Sequence, residues 1–178
     1  MRVASAGIAI ESGTSARRII RAMTSRDDIV RQIDQAFQDA AMPRTESELT
    51  EGGGLDGPYV VEHFLGKARG DVDSTRFLPS LHMEDFTYMT QNAVAYYLPS
   101  VLKLMLVEPY DADLWIFLGG FLRSVKDSYG VNLHGLSASQ RKAIADWADF
   151  LRQEWEPTWD LDPREATKLA LLYRDVDR

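Results

Sequence analysis

The three histidines are the side chains of this chain best suited to acid–base or metal chemistry. They are His63, His82 and His134, and the ordinary pKa of an imidazole is the one that lies closest to neutral pH. None of them stands in an HExxH motif. The run HMED that starts at His82 offers one imidazole and two carboxylates, whereas a zinc site normally needs three convergent protein ligands. The sequence therefore predicts no metal site and no cofactor.

Nucleophilic and phosphate-binding motifs have little support. The chain contains no cysteine, which excludes a thiolate nucleophile, a disulfide and a thiolate metal site. It contains no GxSxG elbow, and the loop GGGLDG lacks the Lys-Ser/Thr of a phosphate-binding loop. These features favour a non-catalytic protein. The lack of cysteine is also typical of a reducing compartment, so we expect a cytoplasmic protein.

The most apolar stretch is AVAYYLPSVLKLML, residues 93 to 106, which carries Pro99 in its middle. A proline inside a helix removes one backbone hydrogen bond and its ring clashes with the preceding turn, so a helix here must kink or restart. Two interpretations follow. One is a kinked core helix, which is favoured because apolar stripes with aromatic residues are more often core than pocket. The alternative is a small-molecule or enzymatic pocket at the kink, formed by Tyr96, Tyr97, Pro99 and His63.

The charge of the chain bears on its partners. The formal net charge is -7 and the isoelectric point is near 5.0, which disfavours nucleic-acid binding and favours a basic protein partner. Trp159 follows a proline and stands among acidic residues, and an aromatic anchor with an acidic rim suits such binding. The leading hypothesis is a protein-binding domain, an inhibitor or immunity-type partner of a basic protein. Its predicted interface consists of Trp159, Glu154, Glu156, Asp160 and Asp162.

Helical periodicity and helix caps predict the helices that position the candidate site residues. Candidate helix starts are Ser25, Asp56, Thr90, either Asp113 or Asp111, Ser137 and Pro163. Residues 70 to 90 are predicted to be irregular or to hold one short turn limited by Pro79. Gly119 and Gly120 are expected to interrupt a helix, either where another backbone approaches closely or at a bend. No segment has the alternation of a strand. We predict an all-α fold, an irregular bundle of five to six helices around a central Pro-kinked apolar helix, residues 90 to 107.

The first 23 residues differ from the rest of the chain. They carry four arginines and one glutamate, so they are basic while the remainder is strongly acidic. Their layout is not that of a secretory signal. We expect residues 1–23 to be a disordered extension or to precede the true start at Met23, and residues 24–178 to form a single helical domain. The longest apolar run is broken by Lys103 and is too short to span a membrane.

Three segments carry a resemblance to a family. They are GLDGPYVVEHFLGK, FTYMTQNAVAYYLPSVLKLML and LSASQRKAIADWADFL, and together they place the resemblance over residues 25 to 155. This pattern resembles an uncharacterised family of small bacterial proteins, a domain of unknown function, whose members share an aromatic-rich YYLP helix. The resemblance implies a fold and a bacterial source, and it implies no particular activity.

Overall fold

A computed structural model describes residues 24–51, 56–73, 76–107, 111–124, 135–154 and 162–174. Those residues form eight α-helices, two short 3-10 turns and no strand, which confirms the all-α prediction, although the helices outnumber the five to six predicted. The helices are α1 (Arg26–Ala36), α2 (Glu46–Leu49), α3 (Gly57–Phe64), α4 (Pro79–Asp85), α5 (Gln91–Leu104), α6 (Ala112–Arg123), α7 (Ala138–Glu154) and α8 (Pro163–Arg174).

Local hydrogen bonds explain where most of the helices begin. The side chains of Ser25, Thr90, Asp111 and Ser137 each accept a hydrogen bond from the backbone N–H three residues later. At α1 the bond is reciprocal, because the carboxylate of Asp28 accepts from the backbone N–H of Ser25 at 3.0 Å. These predicted starts are confirmed. Asp56 does precede α3, but its side chain makes no capping bond.

Helix α5 is buried over most of its length. Its buried residues are Ala93, Val94, Tyr96, Tyr97, Leu98, Pro99, Ser100, Val101 and Leu102. The helix continues through Pro99 to Leu104 and does not restart there. A helix buried on nearly every side must be surrounded, and α5 contacts α1, α2 and the 3-10 turn Arg69–Asp71.

Helices α7 and α8 pack against each other and complete the bundle. Helix α7 also packs on α1, and α8 contacts α6. One side-chain hydrogen bond joins α7 to α5, and another joins α8 to α6. The indole Nε1 of Trp147 donates to the backbone carbonyl of Leu102 at 2.9 Å, and the hydroxyl of Tyr173 donates to the carbonyl of Leu122 at 3.0 Å. Both side chains are buried, so each polar atom finds a partner inside the core.

The prediction for residues 70 to 90 was wrong, because this segment contains α4. Pro79 occupies the first turn of α4, where its missing N–H costs no intrahelical hydrogen bond, so the proline begins a helix instead of limiting one. The 3-10 turns Arg69–Asp71 and Phe86–Tyr88 stand on either side. Helix α4 packs against both α3 and α6.

The predicted interruption of a helix at the paired glycines was also wrong. Helix α6 runs through Gly119 and Gly120 and ends at Arg123. Among the described residues, a Cβ added at Gly119 would first meet the guanidinium of Arg123 at 3.1 Å, and one added at Gly120 would meet nothing within 4 Å. Within the described ranges, no backbone atom from another element is among the nearest contacts of either glycine.

None of the helices in the described ranges combines the length and the apolar character that crossing a membrane requires.

Candidate functional site

Helices α3 and α4 bring His63, His82 and Asp85 together. His63 lies in the last turn of α3, and His82 and Asp85 lie three residues apart on one face of α4. Donor atoms of the three side chains all lie within 4.8 Å of one another. We call these three residues the His63 cluster.

Asp85 holds the imidazole of His63 in one orientation. Its carboxylate oxygen Oδ2 lies 2.7 Å from Nδ1 of His63, and only 5% of Asp85 is exposed. An ionised carboxylate can only accept a hydrogen bond, so Nδ1 donates and the lone pair of the neutral ring is on Nε2. Burial raises the pKa of Asp85, while the hydrogen bond from His63 and its charge act in the opposite direction.

The second imidazole, that of His82, is held in the opposite tautomer. Its Nδ1 accepts a hydrogen bond of 2.8 Å from the backbone N–H of Leu78, the residue that precedes α4. The side chain of Leu78 makes no capping hydrogen bond to this helix. The proton of the neutral ring is therefore on Nε2. Burial lowers the pKa of His82 to about 4, helped by the charges of His63 and Lys67. At neutral pH His82 is an uncharged hydrogen-bond donor.

A cavity of about 220 Å³ opens beside the two imidazoles. The rings of Phe64 and Phe77 contact His82, with centroids 5.8 and 5.2 Å from its ring centroid, and they supply an apolar wall. Exposed Lys67 and Arg76 supply positive charge. The lining consists of His63, Phe64, Lys67, Asp71, Val72, Arg76, Phe77 and His82. The cavity therefore combines an apolar wall with convergent polar groups, as small-molecule sites do.

The same three donors could hold a divalent metal ion, because two imidazoles and one carboxylate make a common ligand set. The hydrogen bonds oppose this use. The bond from Leu78 leaves the proton of His82 on Nε2, so that nitrogen has no lone pair for a metal. The arrangement therefore fits proton transfer better than metal binding.

Three of the predicted pocket residues lie in the core behind this cavity. Tyr97 is fully buried, and its hydroxyl donates to the backbone carbonyls of Phe64 and Lys67 at 2.7 and 2.9 Å. Burial raises the pKa of Tyr97 to about 12, so the hydroxyl keeps its proton. Tyr96 is 8% exposed, and Pro99 is buried beside both tyrosines in α5. Within the described ranges, none of these three residues lines the cavity at His63.

Tyr97 nevertheless supports the wall of the cavity from the core side. The two carbonyls that it binds belong to residues that line the cavity, and its ring centroid lies 5.0 Å from that of Phe64. The pocket hypothesis thus joined His63 to residues that support the site but do not line it.

The predicted interface lies mostly outside the described residues, as Trp159, Glu156 and Asp160 do. Glu154 is the half-buried last residue of α7. Asp162 is exposed, and its carboxylate accepts from the backbone N–H of Arg164 at 2.8 Å, so it caps α8. The interface stays a prediction.

Two SxxK spacings, Ser100 with Lys103 and Ser139 with Lys142, do not form nucleophile and base pairs. The hydroxyl of Ser100 donates to a backbone carbonyl at 2.7 Å, while Lys103 pairs with a carboxylate of α1. Ser139 shares a hydrogen bond with a neighbouring serine, and Lys142 pairs with an aspartate one turn later.

Sequence reasoning missed Asp85 as the partner of His63 because it treated α4 as irregular. A signal was present. A proline followed three residues later by His82 and six residues later by Asp85 places both side chains on one face of a proline-initiated helix. That α3, which carries His63, packs against this helix could not be predicted from such a local spacing.

Comparison of the chain with protein-family models, with curated proteins and with solved structures finds no match. The family resemblance of the YYLP helix therefore stays a prediction.

Proposed function

We propose that the protein binds a small molecule in the cavity at the His63 cluster and that His63 removes a proton from it or from a bound water. The observation that carries this proposal is the 2.7 Å hydrogen bond between Nδ1 of His63 and the buried carboxylate of Asp85. This is how a general-base imidazole is oriented in enzymes. The small-molecule alternative to protein binding is thus kept, but its site moves from Pro99 to α3 and α4.

Each member of the cluster has a distinct part in the proposed proton transfer. The proton leaves the ligand or the water and binds to Nε2 of His63. The resulting imidazolium is stabilised by the negative charge of Asp85, which remains ionised. His82 stays neutral and offers its Nε2–H to an oxygen that gains negative charge, as neutral imidazoles can do in such sites.

Hydrolysis of p-nitrophenyl acetate by the full chain tests this proposal, because an oriented imidazole base accelerates attack of water on an activated ester. We expect His63→Gln to lower the rate about tenfold or more, and Asp85→Asn to lower it as well. Asp34→Asn is the matched control for Asp85→Asn, since Asp34 is a half-exposed carboxylate of α1, and it should leave the rate unchanged. His134→Gln measures the background from the third imidazole.

Equal rates for the wild type and a folded His63→Gln variant would overturn the proposal. Circular dichroism of each variant establishes that it is folded. The ¹⁵N shifts of the imidazoles give an independent readout, because they report which ring nitrogen carries the proton. A proton on Nε2 of His63 in the wild type at neutral pH would also overturn the proposed base.

Protein binding is the second candidate. It is favoured by exposed apolar side chains on α4 and α6, two helices that pack against each other. The exposed residues are Leu78 and Leu81 on or beside α4 and Ile116 and Phe117 on α6. Such groups suit a protein interface, and the acidic composition favours a basic partner. Native mass spectrometry should then show a copurified basic protein of defined mass that is lost from Phe117→Asp. A bare monomer for both forms would count against this candidate.

A further inference from the structure

The cavity at the His63 cluster carries positive charge on a protein that is acidic overall. Lys67 and Arg76 line it and are exposed, and neither forms an ion pair with any residue in the described part of the chain. The ammonium of Lys67 donates to the backbone carbonyl of Glu62 at 3.2 Å, a contact that leaves its charge uncompensated. The formal charge of the whole chain is -7, so two unpaired cations on one cavity differ from the average surface.

The carboxylates of Asp71 and Asp85, at and behind the cavity, each have a hydrogen-bond partner of their own. Asp71 is the one carboxylate in the described lining, and its Oδ2 accepts from the backbone N–H of Ala68 at 2.9 Å to close the 3-10 turn. Asp85 lies behind His63 and is bound to it. The described lining therefore holds two cations and one carboxylate, and the charge of Lys67 contributes to the lowered pKa of His82.

The neutral imidazole of His82 adds a donor of the right kind. Nδ1 of His82 accepts from the backbone N–H of Leu78, so the neutral ring carries its proton on Nε2 and can donate from there. A lysine, an arginine and a neutral N–H together suit an oxygen-based anion. The volume of about 220 Å³ is below the range typical of drug-sized ligands, so the ligand is small.

Building on the proposed function, we infer that the ligand is a small molecule with a carboxylate or phosphate group, which Lys67 and Arg76 bind while the Nε2–H of His82 donates to the same group or to the adjoining oxygen. The anionic group anchors the molecule, and His63 takes the proton from a neighbouring atom.

The test uses the full chain at constant ionic strength, with inorganic phosphate and propionate as separate probes. We expect at least one of them to shift the ¹⁵N signals of His82 and to inhibit the His63-dependent hydrolysis of p-nitrophenyl acetate competitively. Inhibition by phosphate alone assigns the phosphoryl class, and inhibition by propionate alone assigns the carboxylate class. Lys67→Gln and Arg76→Gln should each weaken binding of the effective anion about tenfold, as expected for a charged hydrogen bond.

Arg31→Gln is the matched control, because Arg31 is an exposed arginine of α1, and it should bind the anion as the wild type does. Absence of binding by both anions, or unchanged affinity in both cavity variants, would overturn this inference. If hydrolysis still depends on His63 when the anion inference has failed, the proposed proton transfer stands without an anion site. Conversely, anion binding without His63-dependent hydrolysis would overturn the proton transfer and support the anion site.

Discussion

His63 and Asp85 share a hydrogen bond of 2.7 Å although 22 residues separate them in the sequence. The two side chains come from different helices, and the end of α3 is held from behind by the hydroxyl of Tyr97. The geometry of the proposed base therefore depends on a core residue that does not line the cavity.

Replacing Tyr97 with phenylalanine tests this support. The change removes two hydrogen bonds, one to the carbonyl of Lys67 and one to the carbonyl of Phe64, which keeps its bond from the backbone N–H of Lys67. At about 0.5–1.5 kcal/mol for each bond, we expect the free energy of unfolding to fall by about 1–3 kcal/mol. The control Tyr59→Phe alters a tyrosine that is 57% exposed and should stay within about 0.5 kcal/mol of the wild type. Urea denaturation gives both values, and equal effects of the two substitutions would show that the Tyr97 bonds contribute little.

Asp85 should make stability depend on pH in a defined direction. Its pKa in the folded protein is raised above the ordinary value of 3.8, so the folded state prefers the protonated acid. The stability that this preference provides is fully present below pH 3.8 and is lost as the pH rises through the raised pKa. Urea denaturation across this window should show the wild type losing stability relative to Asp85→Asn, and a constant difference between the two would contradict the raised pKa.

His82 should have the opposite dependence on pH. Its pKa is about 4 in the folded protein against 6.5 ordinarily, so the unfolded chain binds a proton in this interval while the folded protein does not. Stability is therefore lost as the pH falls from 6.5 towards 4. His82→Asn places an amide oxygen where Nδ1 accepts from Leu78 but cannot titrate, so it should lose less stability on acidification. Parallel pH profiles for the two proteins would argue against a neutral His82.

Two neighbouring residues of α6 offer a test of the core and of the exposed apolar surface. Leu118 is fully buried, so Leu118→Ala should cost about 2–5 kcal/mol in the free energy of unfolding. Ile116 is 57% exposed, and Ile116→Ala should change it by no more than about 0.5 kcal/mol. If Ile116→Ala were as destabilising as Leu118→Ala, the described surface of α6 would be wrong.

Sequence reasoning recovered the parts of the fold that depend on neighbours in the chain. A serine, threonine or aspartate cap forms its hydrogen bond within three residues, so Ser25, Thr90 and Asp111 could be identified as helix starts. Pro79 was misjudged because a proline both ends and begins helices, and its position relative to the helix decides which.

The same reasoning recovered only one member of the candidate site. His63 was named for its chemistry, but it was joined to Tyr96 and Tyr97, whose rings turned out to lie in the core. An aromatic side chain with a hydroxyl suits either a pocket or the interior, and its surroundings decide between the two. Those surroundings come from α3 and from the 3-10 turn at Arg69. The hydroxyl of Tyr97 donates to the carbonyl of Phe64, and the hydroxyl of Tyr96 accepts from the backbone N–H of Arg69.

The sequence by itself determined the helical class, the starts of most helices and the burial of the YYLP segment, because each depends on periodicity or on hydrogen bonds between residues a few positions apart. Only the tertiary structure decided that α3 and α4 pack together and that Asp85 binds Nδ1 of His63. Proton positions on an imidazole depend on which partner each nitrogen meets. For His63 that partner is Asp85, which the packing of α3 against α4 supplies and which no local pattern encodes.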